Sequence, residues 1–123
     1  ITMIRIGVAG LKKDLTEKTI IENGNGNFEV LVTTDMDAAK KIKKGELDYY
    51  FGACNSGGGA AISILIGMIG YGKCATVAKA GGSTPDKDQI KKLLAEGKVA
   101  FGMSVENIEK TVPILLESIL ESK

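Results

Sequence analysis

Histidine and tryptophan are both missing from this chain of 123 residues. Without an imidazole there can be no Ser-His or Cys-His nucleophile pair, no histidine ligand for zinc and no phosphohistidine. Tyrosine and phenylalanine number three each, too few for a base-stacking surface. Neither charge dominates: 16 Lys and Arg stand against 15 Asp and Glu, the wrong balance for a phosphate backbone or an acidic membrane. Nucleic acid is therefore not an expected partner. Long apolar runs are also lacking. The longest, Ala60 to Ile66, falls far short of the ~20 residues that span a bilayer. Cysteine occurs only as Cys54 and Cys74, with no CxxC spacing, so two reduced thiols in a cytosolic protein are expected. No metal site is expected from this inventory.

What is present reads as one α/β domain over residues 1–123. Met3 to Val8, Phe28 to Thr33, Asp48 to Ala53, Lys73 to Ala78 and Val99 to Met103 are short runs rich in β-branched and apolar residues. Between them lie helical patterns, the first from Leu11 to Asn23 and closed by Gly24-Asn25-Gly26-Asn27. Thr34 is placed to cap the second helix, with Asp37 at the capping-box position. Thr84-Pro85-Asp86 opens the fourth with Pro at its first position. Ser104 opens the last, and Pro113 inside it predicts a kink or a late start. Strands apolar on nearly every residue, alternating with helices, predict a three-layer, doubly wound, five-stranded parallel sheet of flavodoxin- or Rossmann-like type, in the order 2-1-3-4-5.

In that order the crevice between the first and third strands is the expected ligand site, outside their carboxyl ends. The turn Cys54-Asn55-Ser56-Gly57-Gly58-Gly59 falls there and runs straight into a helix. Successive glycines let backbone N–H groups converge, and a helix start adds its own free N–H groups and positive dipole end. The expected partner is thus a small anionic metabolite, phosphorylated or carboxylated. Asn55, Ser56, Gly57, Gly58 and Gly59 would contact it, with Gly10 across the crevice. Lys79, at the end of the fourth strand, would supply counter-charge, although a solvated loop lysine is the plainer reading. Ser104 ends the fifth strand in the third of three apolar-Gly-small echoes, at Gly7, Gly52 and Gly102. Each such glycine also has a packing explanation, a helix lying close on its strand.

Cys54 is the one thiol at that edge and is a candidate base or nucleophile; a small buried cysteine is the alternative. Cys74 reads as core. Gly7-Val8-Ala9-Gly10 is not a GxGxxG fingerprint, so no dinucleotide cofactor is expected. Ala60 to Ile66 is apolar on nearly every side. Either it is a central helix flanked by its neighbours or a second copy of the chain covers it, and a homo-oligomer is the expectation.

Three stretches, Ile6 to Leu11, Gly45 to Gly57 and Glu96 to Ser104, together resemble a bacterial family of YhfU-like proteins with no assigned activity. A narrower resemblance joins Gly45-Glu46-Leu47-Asp48, the Cys54 to Gly59 turn and Ser63-Ile64 to type B ribose-5-phosphate isomerases. It implies Cys54 as a proton-transferring base, with Gly57 and Gly59 flanking an anion hole. Asn55 stands where that motif has its first glycine, and the family's histidines have no counterpart here. Binding at the turn is the leading expectation. An isomerase-like enzyme using Cys54, or an oligomeric interaction subunit without a ligand, are the alternatives.

Overall fold

The computed structural model describes residues 2–123. Its elements alternate along the chain as β1 (Ile4–Gly10), α1 (Lys13–Asn23), β2 (Phe28–Val32), α2 (Asp35–Lys43), β3 (Tyr49–Cys54), α3 (Ser63–Ile69), β4 (Cys74–Ala78), α4 (Lys87–Ala95), β5 (Ala100–Ser104) and α5 (Ile108–Glu121). Every strand pairing is parallel, and helices cover the sheet, so the doubly wound α/β class holds.

The strand order differs from the expected one. It is β2-β1-β3-β5-β4, with the last two strands exchanged. The crossover from β3 passes over the future place of β5 to reach the edge, and β5 then returns to the gap. Burial explains the exchange. All five residues of β5 are buried, whereas the middle three of β4 are only partly covered. The strand buried throughout takes the interior, and the one carrying Thr76 takes the edge. Right-handed crossovers running in opposite directions must lie on opposite faces. Accordingly α5 packs on both α1 and α4, while α2 packs on α3.

Two cores result. On the α1, α4 and α5 side, Ile6, Val8, Phe51, Phe101 and Met103 meet Ile108, Val112, Leu115 and Ile119, with Phe51 and Phe101 in an edge-to-face pair at 6.2 Å. On the α2 and α3 side, a smaller set gathers around Tyr50, Leu47, Ile62 and Leu65. The three glycine echoes all belong to this second side, and there the packing explanation prevails. A Cβ on Gly7 would stand 2.6 Å from a Leu47 methyl, and one on Gly102 would stand 3.0 Å from Ile62.

Several local expectations change as well. The third helix opens with a 3-10 turn at Ala60–Ile62 before α3 proper. Asp86, not Pro85, stands at the head of α4, in a capping box with Gln89. Thr34 caps α2 as expected, but the Asp37 carboxylate turns to Thr33 and Lys41 instead of back to the cap. Pro113 does not break α5, a 14-residue helix that runs through it. Among the described residues no helix is long and apolar enough to cross a membrane.

Candidate functional site

Because β3 is central, its carboxyl end has a neighbour on either side. Ala53 stands opposite Gly10 of β1, and Cys54 opposite Ser104 of β5. The chain leaves β3 toward β5 and β4, and not into the β1–β3 crevice. Gly57 (φ 69°) is the pivot: a Cβ there would run into the carbonyl oxygen of Ala78 and stand 2.8 Å from the Ser104 nitrogen and 3.0 Å from the Lys79 Cα. Only glycine fits both that backbone and that gap. The Ala80 N–H donates to the Ser56 carbonyl at 2.8 Å and fastens the turn to the loop after β4.

This turn wraps around a sulfur atom. The Gly57 N–H donates to the Cys54 Sγ at 3.2 Å. Among the described residues it is the one hydrogen bond that the sulfur accepts. Burial alone pushes the Cys54 thiol up, and the backbone N–H groups of the turn, that of Gly57 foremost, more than offset it, leaving the pKa below the ordinary cysteine value. Cys54 is partly exposed. A thiol biased toward thiolate and open to solvent has the two properties that reactivity requires. The amides of the turn thus find partners within it, Gly57 on the Cys54 sulfur and Gly58 on the Ser56 hydroxyl.

The other expected residues divide into two groups. Asn55, Ser56 and Gly58 are exposed, and the Ser56 hydroxyl accepts from the Gly58 N–H at 3.0 Å. Gly59 (φ 111°) leads into the 3-10 turn. Lys79 is exposed, and with Gly58, Gly59, Thr76 and Ile62 it lines an open cleft of about 550 Å³ over the edge strand. Gly10 is exposed at the end of β1, on the far side of β3, where the Leu11 N–H donates to the Ala53 carbonyl. Ser104 is fully buried, and its hydroxyl accepts from Asn107 Nδ2 at 2.6 Å. Its part is support from below. The structure therefore brings Cys54, Ser56, Gly57, Gly58, Gly59, Lys79 and Ser104 to one corner and leaves Gly10 beside it.

Two contributors stand outside the sequence expectations. Tyr50, fully buried, lies along β3 across Gly52, and its hydroxyl donates to the Ala61 carbonyl at 3.0 Å. Asn107, 6% exposed, donates to Ser104 and also to the Lys79 carbonyl at 3.1 Å. A signal existed for Tyr50 in Gly52, two residues on and on the same sheet face. None existed for Asn107, whose partners lie across a strand exchange. Of the apolar segment Ala60 to Ile66 expected to self-associate, Ala61, Ile62 and Leu65 are buried, Ile64 and Ile66 keep partial exposure, and Ala60 and Ser63 are exposed.

With this geometry in view, likeness to known proteins can be weighed. Residues 4–119 match the model of a family described as "Protein of unknown function DUF2620". The chain belongs to this family. It is 54% identical over 114 residues to "Uncharacterized protein YhfU" of Escherichia coli (strain K12), covering 93% of this chain and 97% of that one. A protein of the same description from Shigella flexneri matches to the same extent. The family extends over almost the entire α/β unit, the Cys54 corner included, and its description names no reaction.

Proposed function

We propose that the corner formed by the Cys54–Gly59 turn is a small-molecule site, that its ligand is a phosphorylated or carboxylated metabolite, and that the Cys54 thiolate acts on that ligand. One observation carries this reading: the Gly57 N–H at the pivot of the turn donates to a partly exposed sulfur at 3.2 Å. Such an arrangement has little use in a core cysteine, because burial by itself keeps a thiol protonated and inert. The chemistry it suits best is proton transfer. The thiolate takes a proton from a carbon next to a carbonyl, and Lys79 at the rim supplies positive charge for the ligand's anionic group. The rate of Cys54 alkylation against pH tests the reading. The expected midpoint lies below the ~8.5 of a free thiol, and a bound anion should slow the reaction. A midpoint at or above that value would overturn it.

A second reading, binding without chemistry, rests on the cleft that Lys79 shares with Gly58 and Gly59. Thermal-shift screening of phosphorylated sugars, nucleotides and carboxylates on wild type and Cys54→Ser separates the two. Under this reading both proteins gain the same stabilisation from the same anion. Under the first, the variant still binds but turns nothing over.

A further inference from the structure

The two edges of the sheet are finished differently. On β2 the exposed Glu29 stands within the strand, and a charge there discourages another strand from pairing. β4 has no such guard. It pairs with β5 alone, carries no charge, and keeps Ala75, Thr76 and Val77 only partly buried. The helices on either side of it lean inward, α3 onto α2 and α4 onto α5. An open cleft of about 550 Å³, walled by Ile62, Ile66 and Tyr71, is left along the strand. A second, of about 390 Å³, is walled by Pro85, Ile90 and Leu93. Thr76, Leu93 and Glu96 line both, so the two clefts meet across the strand.

This edge also has hydrogen-bonding capacity to spare. The Val99 N–H donates to the Lys73 carbonyl at 2.8 Å, which turns Lys73 toward β5. Alternation along a parallel ladder then turns Ala75 the same way, and the N–H and C=O of Thr76 outward. An incoming strand would meet that donor and acceptor at its middle, and its alternate side chains would enter the two clefts. The rim sets the charge such a strand must carry. Lys79, Lys92 and Lys98 line the clefts and Lys73 precedes the strand, while Glu96 is the one acid lining them. Among the described residues none of these four lysines has an acidic partner.

We propose that β4 is a docking edge for an extended segment of another protein, apolar at its centre and acidic at its ends, which adds to the sheet beside Thr76. Main-chain bonds would supply affinity, and the clefts and the lysine rim would supply selectivity. A second copy of this chain suits the edge less well. Antiparallel pairing about Thr76 would set Lys79 of each copy against Lys73 of the other, and like charges directly opposite are unfavourable. The register shift between Thr76 and Ala78 adds twist, which keeps two folded edges from lying along one another. A free segment can follow that twist. Cys54 has no part in this docking.

The test titrates the full, isotope-labelled chain with the synthetic peptide acetyl-Glu-Glu-Val-Val-Ile-Val-Glu-Glu-amide and follows backbone amide shifts by NMR. Saturable shifts are expected at Ala75 to Val77 and at Leu93, and none with a peptide that has Lys in place of every Glu. Thr76→Pro removes the outward N–H, a change that an edge strand tolerates, and should abolish binding while the rest of the spectrum is kept. Lys79→Ala combined with Lys98→Ala should weaken binding about 2- to 30-fold, and high salt should erase that difference. If Thr76→Pro does not fold, the lysine variant decides. An absence of shifts along β4 overturns the proposal, and so does equal binding of the two peptides, since the edge would then select only for apolar segments. Shifts confined to the Cys54 to Gly59 turn also overturn it, and assign the acidic peptide to that turn. Sedimentation of the chain alone as a dimer that Thr76→Pro dissociates would give the edge to a second copy and overturn the proposal as well.

Discussion

Cys54 and Cys74 lie on the same face of the sheet, opposite Ser104 and Ala100 of β5 respectively, yet their surroundings drive them in opposite directions. Cys54 ends its strand, and the chain beyond it turns back with N–H groups facing the sulfur. Cys74 begins its strand, and what it meets is a carbonyl: its thiol donates to Gly70 at 3.5 Å. Burial pushes Cys74 up, opposed only by the nearby charge of Lys98, whereas at Cys54 the backbone N–H groups of the turn, that of Gly57 foremost, outweigh burial. In a parallel sheet the carboxyl edge leads into helix starts and so presents donors, while the amino edge receives helix ends and presents acceptors. One residue type at the two ends of such a sheet is therefore pushed toward thiolate at one and kept as thiol at the other.

The strongest way to break this contrast is to unseat the turn. Gly57→Ala forces a side chain onto a left-handed backbone and into the Ala78 carbonyl, so a loss of about 2–4 kcal/mol is expected, measured by urea unfolding. The Cys54 alkylation midpoint should climb toward that of an ordinary thiol at the same time. Gly59→Ala is the matched comparison. Its φ is also positive, at 111°, but nothing stands within 4 Å of the new Cβ, so the expected cost is nearer 1 kcal/mol, from backbone strain alone. Equal losses in the two variants would show that the Gly57 seat has no special tightness.

How stability depends on pH sharpens the contrast with a smaller effect. The folded pKa of Cys54 is below its unfolded value, so the unfolded chain holds the proton more tightly between the two. The contribution of Cys54 is then fully present above the unfolded pKa and is lost as pH falls through the folded one. For Cys74 the sign reverses. Its contribution is full below the unfolded pKa and is lost as pH rises through the folded one. Between about pH 7 and 9, around the free thiol value, wild type should gain stability relative to Cys54→Ala as pH rises. Over the upper part of that range it should lose stability relative to Cys74→Ala. Parallel curves for all three proteins would remove the electrostatic difference between the two edges.

How much of this was legible in the sequence depends on how local the signal was. Gly57-Gly58-Gly59 after an apolar strand marks a turn with converging amides, because three glycines in succession have few other uses. That Cys54 belongs to it follows from adjacency. The exchange of β4 and β5 was not legible. Both runs are short and apolar, and the choice rests on whether Thr76 or Phe101 takes the interior, a matter of packing against α5. This exchange also moved the site, since the turn leans on Ser104 and Lys79 only because β5 is the neighbour of β3. Asn107 stayed hidden for the same reason, its partners being the ends of two strands whose adjacency no local pattern encodes. The glycines at 7, 52 and 102 were visible as a set, but their shared cause is the close approach of Leu47, Tyr50 and Ile62, not a ligand.

The smallest expected effect concerns the charge outside the cradle. The Lys79 backbone helps seat Gly57, but the residue is exposed at the rim of the cleft with Gly58 and Gly59, and its side chain has no part in that seat. Iodoacetate carries a carboxylate and iodoacetamide does not, so the ratio of their rates at Cys54 reports the local potential independently of the thiolate fraction. An exposed lysine acting through solvent contributes about 0.2–1 kcal/mol. Lys79→Ala should therefore lower that ratio by roughly 1.5- to 5-fold and leave the iodoacetamide midpoint in place. The same measurement in high salt should abolish the difference between wild type and variant, because exposed charges are screened within about 3 Å at 1 M. A midpoint that moves with Lys79→Ala would place the lysine among the groups that set the thiolate. A ratio that stays fixed would remove Lys79 from the site and leave any anionic ligand to the glycine amides alone.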